Sequence, residues 1–141
     1  MRVAKKHDAR LNEILDAAET LFSEKGYENA TVNDILDKVG IGKGTFYHYF
    51  KSKEEVMDGV IRRAVECAHE RAKTVADDSS LTVREKTRRA ILSINISETP
   101  HGKVIDELHK PANAQMHQKS ITQTIQAVAP VLAGIVKQGI R

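Results

Sequence analysis

The sequence has little of several residue types whose abundance defines other classes of protein. Of its 141 residues one is cysteine, three are proline, none is tryptophan and 4% are aromatic. The single cysteine, Cys67, excludes a disulfide framework and a cysteine metal cluster, and it is typical of a reducing cytoplasm. No apolar run approaches the roughly 18 residues that cross a bilayer, and the charged N-terminus lacks a signal peptide's apolar core. The sequence therefore predicts a soluble, cytoplasmic chain without a membrane partner.

Alternation of apolar and polar residues, which marks a half-buried strand, is also scarce. Apolar residues instead recur at spacings of three and four, as on the buried face of a helix. The first such stripe covers residues 11–22, and Ser52 with Glu55 forms a Ser-x-x-Glu start for a second, long helix. We predict an all-α fold, in which this long helix joins an N-terminal domain of residues 1–51 to a helical domain of residues 52–141.

Residues 31–53 predict two short helices joined by a tight glycine turn. The Thr31 hydroxyl is placed to cap the first helix, with Asp34 at the position of a capping-box acid. Gly40 follows the last apolar residue of that helix, where a left-handed backbone is favoured. A second helix of about two turns follows, at about residues 43–50. This order predicts a helix-turn-helix unit, which the first helix of the chain braces.

The second helix of this unit has one apolar side and one side suited to DNA. Phe46 and Phe50 lie four residues apart and face the core. Residues 38–53 contain four lysines and no acid, so the local charge is positive although the whole chain carries only +3. A helix that enters the major groove needs a small residue for close approach, here Gly44, and donors for bases and phosphates. The donors are Lys43, Thr45, Tyr47 and His48.

Five segments of the first sixty or so residues form an ordered set: Ile14-Leu-Asp-Ala-Ala-Glu-Thr-Leu-Phe, Glu24-Lys-Gly-Tyr, Thr31-Val-Asn-Asp-Ile, Gly40-Ile-Gly-Lys-Gly-Thr-Phe-Tyr-His-Tyr-Phe and Lys51-Ser-Lys-Glu-Glu-Val. In this order they resemble the N-terminal domain of the TetR family of transcriptional regulators. The resemblance implies a homeodomain-like, three-helix DNA-binding domain followed by a helical ligand-binding and dimerisation domain. It also implies a repressor that binds a palindromic double-stranded operator as a homodimer in its full-length form. A small-molecule inducer would enter the C-terminal domain and release the DNA.

The resemblance also assigns roles to single residues. Lys43, Gly44 and Tyr47 match positions that approach bases in the major groove. The positions that hold phosphates in the family are matched by Thr31, Thr45, His48, Tyr49 and Lys53. Gly42 departs from the pattern, because the family often has a serine there that caps the recognition helix. Its absence is expected to weaken the start of this helix by about 1 kcal/mol.

The N-terminal residues leave two interpretations open. Arg2, Lys5, Lys6 and Arg10 form a basic arm before the first predicted helix. Such an arm either lies along DNA phosphates or in a minor groove, or it is a solvated tail. Both interpretations place these residues outside the helical core of the domain.

The C-terminal half predicts further helices. Polar breaks at residues 77–80 and 97–102 divide it, and Pro111 ends a short helix because proline lacks the backbone N–H. The last helix is the most apolar, and Pro130 inside it predicts a kink. By the resemblance this kinked helix lines an inducer pocket, although ordinary packing explains it as well. Since no later helix covers its apolar face, we expect the regulatory domain to be incomplete or unusually short.

Other functions fit parts of the sequence less well. Five residues suggest a metal-responsive regulator: His101, Asp106, Glu107, His109 and His117. Successive histidines are eight residues apart, about 12 Å along a helix, which is too far for one coordination sphere. A protein-interaction module with the helix-turn-helix fold would not need the basic surface of residues 43–53. No nucleophile–base pair, phosphate loop or carboxylate cluster indicates an enzyme, and we expect no cofactor or bound metal.

Overall fold

The computed structural model describes residues 2–95 and 101–140, and every regular element in these ranges is helical. The helices are α1 (Arg2–Lys25), α2 (Val32–Val39), α3 (Lys43–Tyr49), α4 (Lys53–Asp77), α5 (Val83–Leu92), α6 (Gly102–Leu108) and α7 (Ala114–Gly139), with a 3₁₀ turn at Pro111–Asn113. The predicted all-α class is confirmed. None of these helices is both long and apolar enough to cross a membrane. Residues 97–100 of the second predicted break lie outside the described ranges.

The chain forms two compact units, Met1–Val60 and Ile61–Arg141, and the boundary between them falls within α4. This boundary follows the packing of the chain. The functional boundary predicted between residues 51 and 52, where α4 is about to begin, stays a prediction.

The core of the first unit is built from the apolar stripes of its helices. Its largest fully buried side chains are Ile14, Phe22, Ile35, Phe46, Val56, Met57 and Val60. Burial of each such side chain stabilises the fold by roughly 1.5–3 kcal/mol relative to its exposed state. Gly59 adds a close approach between α4 and α1, since a Cβ at this position would lie 2.9 Å from Cδ2 of Leu15. This packing fixes the surface from which α3 projects.

The start and the end of α2 are set by local hydrogen bonds, as predicted. The Thr31 hydroxyl accepts from the Asp34 N–H at 3.1 Å, and the Asp34 carboxylate accepts from the Thr31 N–H at 2.9 Å. Lys25 Nζ lies 3.1 Å from the same carboxylate. At the other end Gly40 has a left-handed backbone with φ 77°, and its N–H donates to the Leu36 carbonyl at 2.8 Å. The capping box and the glycine turn are both confirmed.

The capping carboxylate makes stability depend on pH. The Thr31 N–H, followed by Lys25, holds the pKa of Asp34 below its ordinary value. Because folding lowers this pKa, Asp34 contributes stability above the pKa of the unfolded chain and loses it as the pH falls through the folded value. We expect the Tm to drop on acidification below about pH 4. The variant Asp34→Asn should lower the Tm at neutral pH and show a shallower acid dependence.

Thermal unfolding followed by circular dichroism between neutral pH and pH 3 measures this effect. The matched control is Asp37→Asn, which changes an exposed carboxyl of the same helix. If the acid dependence of Asp34→Asn equals that of the unchanged chain, the capping carboxylate is not its source.

The start of α4 differs in one bond from the predicted capping box. The Ser52 hydroxyl accepts from the Glu55 N–H at 3.1 Å, as expected. The Glu55 carboxylate, however, accepts from the N–H of Lys51 rather than from that of Ser52. The side chain therefore reaches one residue further back and ties the α3–α4 connection to the first turn of α4.

The predicted basic arm is corrected by the structure. The α1 helix begins at Arg2, so the residues assigned to an arm before the first helix have a helical backbone. Arg10 lies well inside α1, where its guanidinium pairs with Glu13 at 2.7 Å. The reason is that residues 2–10 contain neither proline nor glycine, so nothing in them ends the helix.

In the second unit α5 and α7 pack together over a small apolar core. Its buried members are Ala72, Ala76, Ala90, Val128 and Ile135. Lys86 of α5 is buried as well, at 7% exposure, and its Nζ donates to the Ala76 carbonyl at 2.8 Å and to Gln138 Oε1 at 2.9 Å. These bonds satisfy the Lys86 ammonium, which lies at the C-terminal end of α4, where the helix carbonyl groups favour a cation. The amphipathic pattern does not predict a buried lysine here.

The apolar residues of α7 are only partly covered within the described chain. Val128 and Ile135 are buried, whereas Ile121, Ile125 and Val136 are exposed. Pro130 lies inside an unbroken helix from Ala114 to Gly139, and the predicted kink at this residue stays a prediction. One face of α7 thus packs on the core of its unit and the other carries exposed isoleucine and valine.

Candidate nucleic-acid interface

The orientation of α3 is set by two phenylalanines. Phe46 is fully buried and Phe50, which caps the C-terminus of α3, is 6% exposed. The Phe50 N–H donates to the Phe46 carbonyl at 3.0 Å and closes the last turn. Gly42 stands at the N-cap and supplies no side-chain hydrogen bond, as its residue type requires. With Phe46 and Phe50 held in the core, the opposite side of α3 faces solvent.

The solvent side of α3 carries the residues predicted to read DNA. The exposed members are Lys43, Gly44, Thr45, Tyr47 and His48, and Tyr49 is half-buried. The Tyr47 side chain keeps 53% of its surface in solvent. These residues share one short helix and form one exposed surface of basic, hydroxyl and aromatic side chains.

Nothing around position 44 requires this residue to be a glycine. A Cβ added there would meet no atom of the described chain within 4 Å, beyond its own neighbours and helix backbone, and its φ is not positive. Neither strain nor close packing therefore explains a glycine in the first turn of α3, where it costs about 1 kcal/mol of helix stability relative to alanine. Close approach to an external partner is consistent with its presence.

Two predicted phosphate contacts already have partners within the protein. The Thr31 hydroxyl caps α2, although its side chain remains exposed. Lys53 Nζ donates to the Tyr27 carbonyl at 2.7 Å and lies 4.4 Å from the centre of the Tyr27 ring. Lys53 thus ties the α1–α2 loop to the start of α4. Its role toward phosphate stays a prediction, and it requires these contacts to be shared or exchanged.

The ring beneath Lys53 belongs to a tyrosine that resists ionisation. Burial, followed by the negative charges of Glu54 and Asp58, raises the pKa of Tyr27 to about 12. The raised pKa keeps the phenol neutral into alkaline solution, where an unshifted tyrosine would ionise. A neutral ring face remains available to the Lys53 ammonium, which such faces attract by about 0.5–2 kcal/mol.

His7 of α1 also contacts this surface, a contact that was not predicted from the sequence. Its ring lies 4.7 Å from the ring of Tyr49 and 6.1 Å from that of His48, measured between centroids. Nδ1 of His7 is also 3.8 Å from the Asp8 carboxylate. Helical periodicity places His7 on the side of α1 that carries the apolar stripe, four residues before Leu11, but it does not indicate the partner, because the contact joins residues 42 positions apart. His7 therefore packs against Tyr49 and His48, two residues predicted to hold phosphates.

We expect His7→Ala to weaken binding to duplex DNA by about 2- to 5-fold at low salt. Loss of one aromatic contact removes roughly 0.5–1 kcal/mol that helps to hold Tyr49 in place. Fluorescence anisotropy with a labelled duplex measures the affinity. The control is His69→Ala, which removes a partly exposed histidine of the second unit. Equal affinities for His7→Ala and the unchanged chain would refute the supporting role.

The second unit contains a cavity of about 200 Å³ beside α6 and α7. Ile105, His109, His117, Ser120, Ile121, Thr124 and Ile125 line it, together with Ile94 and Asn95. The expectation that spacing keeps the histidines apart is wrong for His109 and His117, whose rings are 4.7 Å apart. The turn at Pro111–Asn113 separates α6 from α7 and brings the two rings together. Across the described residues, however, no three side chains form a group that could hold a metal ion.

Comparison with known proteins relates this chain to bacterial regulators. Residues 14–60 match the model of the bacterial regulatory proteins of the tetR family. The HTH-type transcriptional repressor KstR2 of Mycolicibacterium smegmatis is 32% identical over 97 residues, which are 69% of this chain and 47% of that protein. The chain thus spans about half the length of the curated relatives that it matches.

Solved structures of regulators have a similar fold. A transcriptional regulator of the TetR/AcrR family from Thermobifida fusca has a TM-score of 0.65 at 25% identity, over 93% of this chain and 72% of that one. The ketosteroid transcriptional regulator KstR2 of Mycobacterium tuberculosis has a TM-score of 0.59 at 25% identity, over 92% of this chain and 69% of that one. Both similarities extend well beyond residues 14–60, into the second unit.

Proposed function

Because this chain belongs to the TetR family of bacterial regulatory proteins, we propose that it represses transcription by binding a palindromic operator as a dimer. The observation that carries the proposal is the solvent side of α3, where Lys43, Gly44, Tyr47 and His48 are exposed together. The proposal assigns the chain no catalytic role. It implies the cytoplasm, where operator DNA lies, as the compartment.

In this proposal α3 enters the major groove, as recognition helices do. Gly44 lets the backbone approach the base edges, and Lys43 and Tyr47 donate hydrogen bonds to them. The residues proposed to hold phosphates on either side are Thr31, Thr45, His48, Tyr49 and Lys53. A dimer presents two such helices about 34 Å apart, one turn of B-DNA, which is why the operator is expected to be a palindrome.

The ligand-responsive part of the proposal rests on the cavity in the second unit. Its volume of about 200 Å³ lies below the range of roughly 300–1,000 Å³ that drug-sized ligands fill, so the inducer is expected to be small. Binding there would release DNA only if the ligand prefers the conformation with lower operator affinity. The KstR2 of Mycolicibacterium smegmatis is named a transcriptional repressor, and that of Mycobacterium tuberculosis a ketosteroid transcriptional regulator. Steroid binding by this chain is not part of the proposal.

Selection of bound sites from a random duplex library, at two salt concentrations, tests the DNA-binding part. We expect an enriched palindrome and a steep loss of affinity with salt, since each neutralised phosphate contributes a slope of about −0.9 in a plot of log K against log salt. Enrichment of a half-site alone would contradict the dimer. No enrichment at either salt concentration would contradict operator binding and favour the alternative of a protein-interaction module.

A further inference from the structure

We propose that His109 and His117 bind the carboxylate of a short aliphatic monocarboxylic acid whose tail lies in the cavity of the second unit. The inference rests on the proposed function, because it takes this cavity as the ligand site. It goes further in naming the chemical class of the ligand and the two residues that recognise it.

The two imidazoles converge from different helices. His109 directly follows α6 and His117 lies in the first turns of α7, with ring centroids 4.7 Å apart and ring planes at 72°. Within residues 2–95 and 101–140 neither ring makes a hydrogen bond, and the Asp106 carboxylate lies 3.9 Å from His109 Nδ1. Each imidazole carries at least one N–H donor. Donors on two adjacent rings can serve the two oxygens of one carboxylate.

The hydroxyl groups of the cavity leave the donor role to the histidines. Ser120 donates its proton to the His117 carbonyl at 2.7 Å, and Thr124 donates to the Ser120 carbonyl at 2.8 Å. Their protons are therefore used within α7. Among the described lining residues the two imidazoles then remain as candidate donors. No aspartate or glutamate is among the described lining residues, and the Asp106 carboxylate near His109 is exposed to solvent, which weakens its repulsion of a bound anion.

Size and the apolar wall limit the rest of the ligand. Ile105, Ile121 and Ile125 line the cavity, and Ile125 keeps 58% of its surface exposed. Covering such surface with an alkyl chain contributes about 25 cal/mol for each Å² removed from water. An apolar cavity of about 150 Å³ accommodates benzene, so 200 Å³ suits a tail of roughly six to eight carbons. A divalent cation fits less well, since two imidazoles are half of a tetrahedral ligand set.

The test uses octanoate as the probe and the full chain as it exists. Isothermal titration compares octanoate with octanol, which has the same tail and no carboxylate. NMR of the histidine imidazoles reports which rings the ligand touches, and it needs no variant. We expect octanoate to bind, to shift the resonances of His109 and His117, and to leave those of His7, His48 and His69 in place.

The variants separate recognition of the head group from filling of the cavity. The double variant His109→Asn/His117→Asn should lower the affinity for octanoate at least 10-fold and leave the affinity for octanol unchanged. The control His69→Asn should change neither affinity. If the double variant does not fold, His117→Gln alone, together with the NMR shifts, decides the question.

Three results would overturn the inference. Equal binding of octanoate and octanol with unmoved imidazole resonances would refute head-group recognition and leave the cavity as the ligand site of the proposed function. Octanoate that shifts His7 or His48 instead would place binding on the α3 surface. Absence of binding by both probes would refute the inference together with the proposed ligand site, whereas operator binding is tested separately by the selection experiment.

Discussion

Replacing Lys43 and Tyr47 together by alanine is expected to lower operator affinity about 100-fold while the Tm changes little. Each hydrogen-bonded base contact contributes roughly 1–3 kcal/mol, and a factor of 100 equals about 2.7 kcal/mol. The stability cost is small because both side chains are exposed, Tyr47 at 53%. Fluorescence anisotropy on the selected operator measures affinity, and circular dichroism measures the Tm of the same preparations.

The control for this pair is Lys73→Ala, which removes an exposed lysine of the second unit and the same positive charge. It should leave operator affinity within about 2-fold. Selection with Lys43→Ala alone should relax the preference at the base pair that Lys43 contacts, because a lost base contact changes specificity and a lost phosphate contact does not. An unchanged affinity in the double variant would refute both assignments.

Phe46→Ala is expected to destabilise the first unit by about 3–5 kcal/mol. The Phe46 side chain is fully buried, and its ring lies 5.2 Å from Tyr47 and 6.1 Å from Phe50 between centroids. Small domains are stable by only about 5–15 kcal/mol, so this loss removes much of the stability of a sixty-residue unit. Operator binding should then fall far more than the loss of any single contact explains.

Urea unfolding followed by circular dichroism measures the loss, with hydrogen exchange reporting on α3 itself. Tyr47→Ala is the matched control, because it removes an aromatic ring from the neighbouring, exposed position. Phe46→Leu should retain most of the stability, since it keeps the position apolar and nearly filled. Should Phe46→Ala unfold at the same urea concentration as Tyr47→Ala, Phe46 does not anchor the recognition helix.

The parts of this fold that follow from the sequence are those set by neighbouring residues. The capping box of Thr31 and Asp34, and the left-handed Gly40, act within four residues and could be predicted from residue type alone. The apolar stripe of α1 depends on periodicity, which the sequence also contains. The ends of α2 and the exposed side of α3 were therefore predictable.

The contacts that escaped prediction join different elements of the fold. His7 meets Tyr49, Lys86 meets Gln138, and His109 meets His117 across a turn. Each depends on how whole helices pack, and residue spacing along one helix does not contain that information. The basic arm was a wrong prediction for a different reason, since charge alone was taken as a sign of an extended segment.

The burial of Lys86 also makes this lysine a reporter of the folded state. Reductive methylation and acylation require a lysine amine that reagents can reach, and the Lys86 amine is enclosed by the Ala76 carbonyl and the Gln138 amide at 7% exposure of the residue. We expect exposed lysines such as Lys73 to be modified within minutes and Lys86 only when the second unit opens. Mass spectrometry of the modified peptides over time would then give the opening rate of this unit from a single amine, without any substitution in the chain.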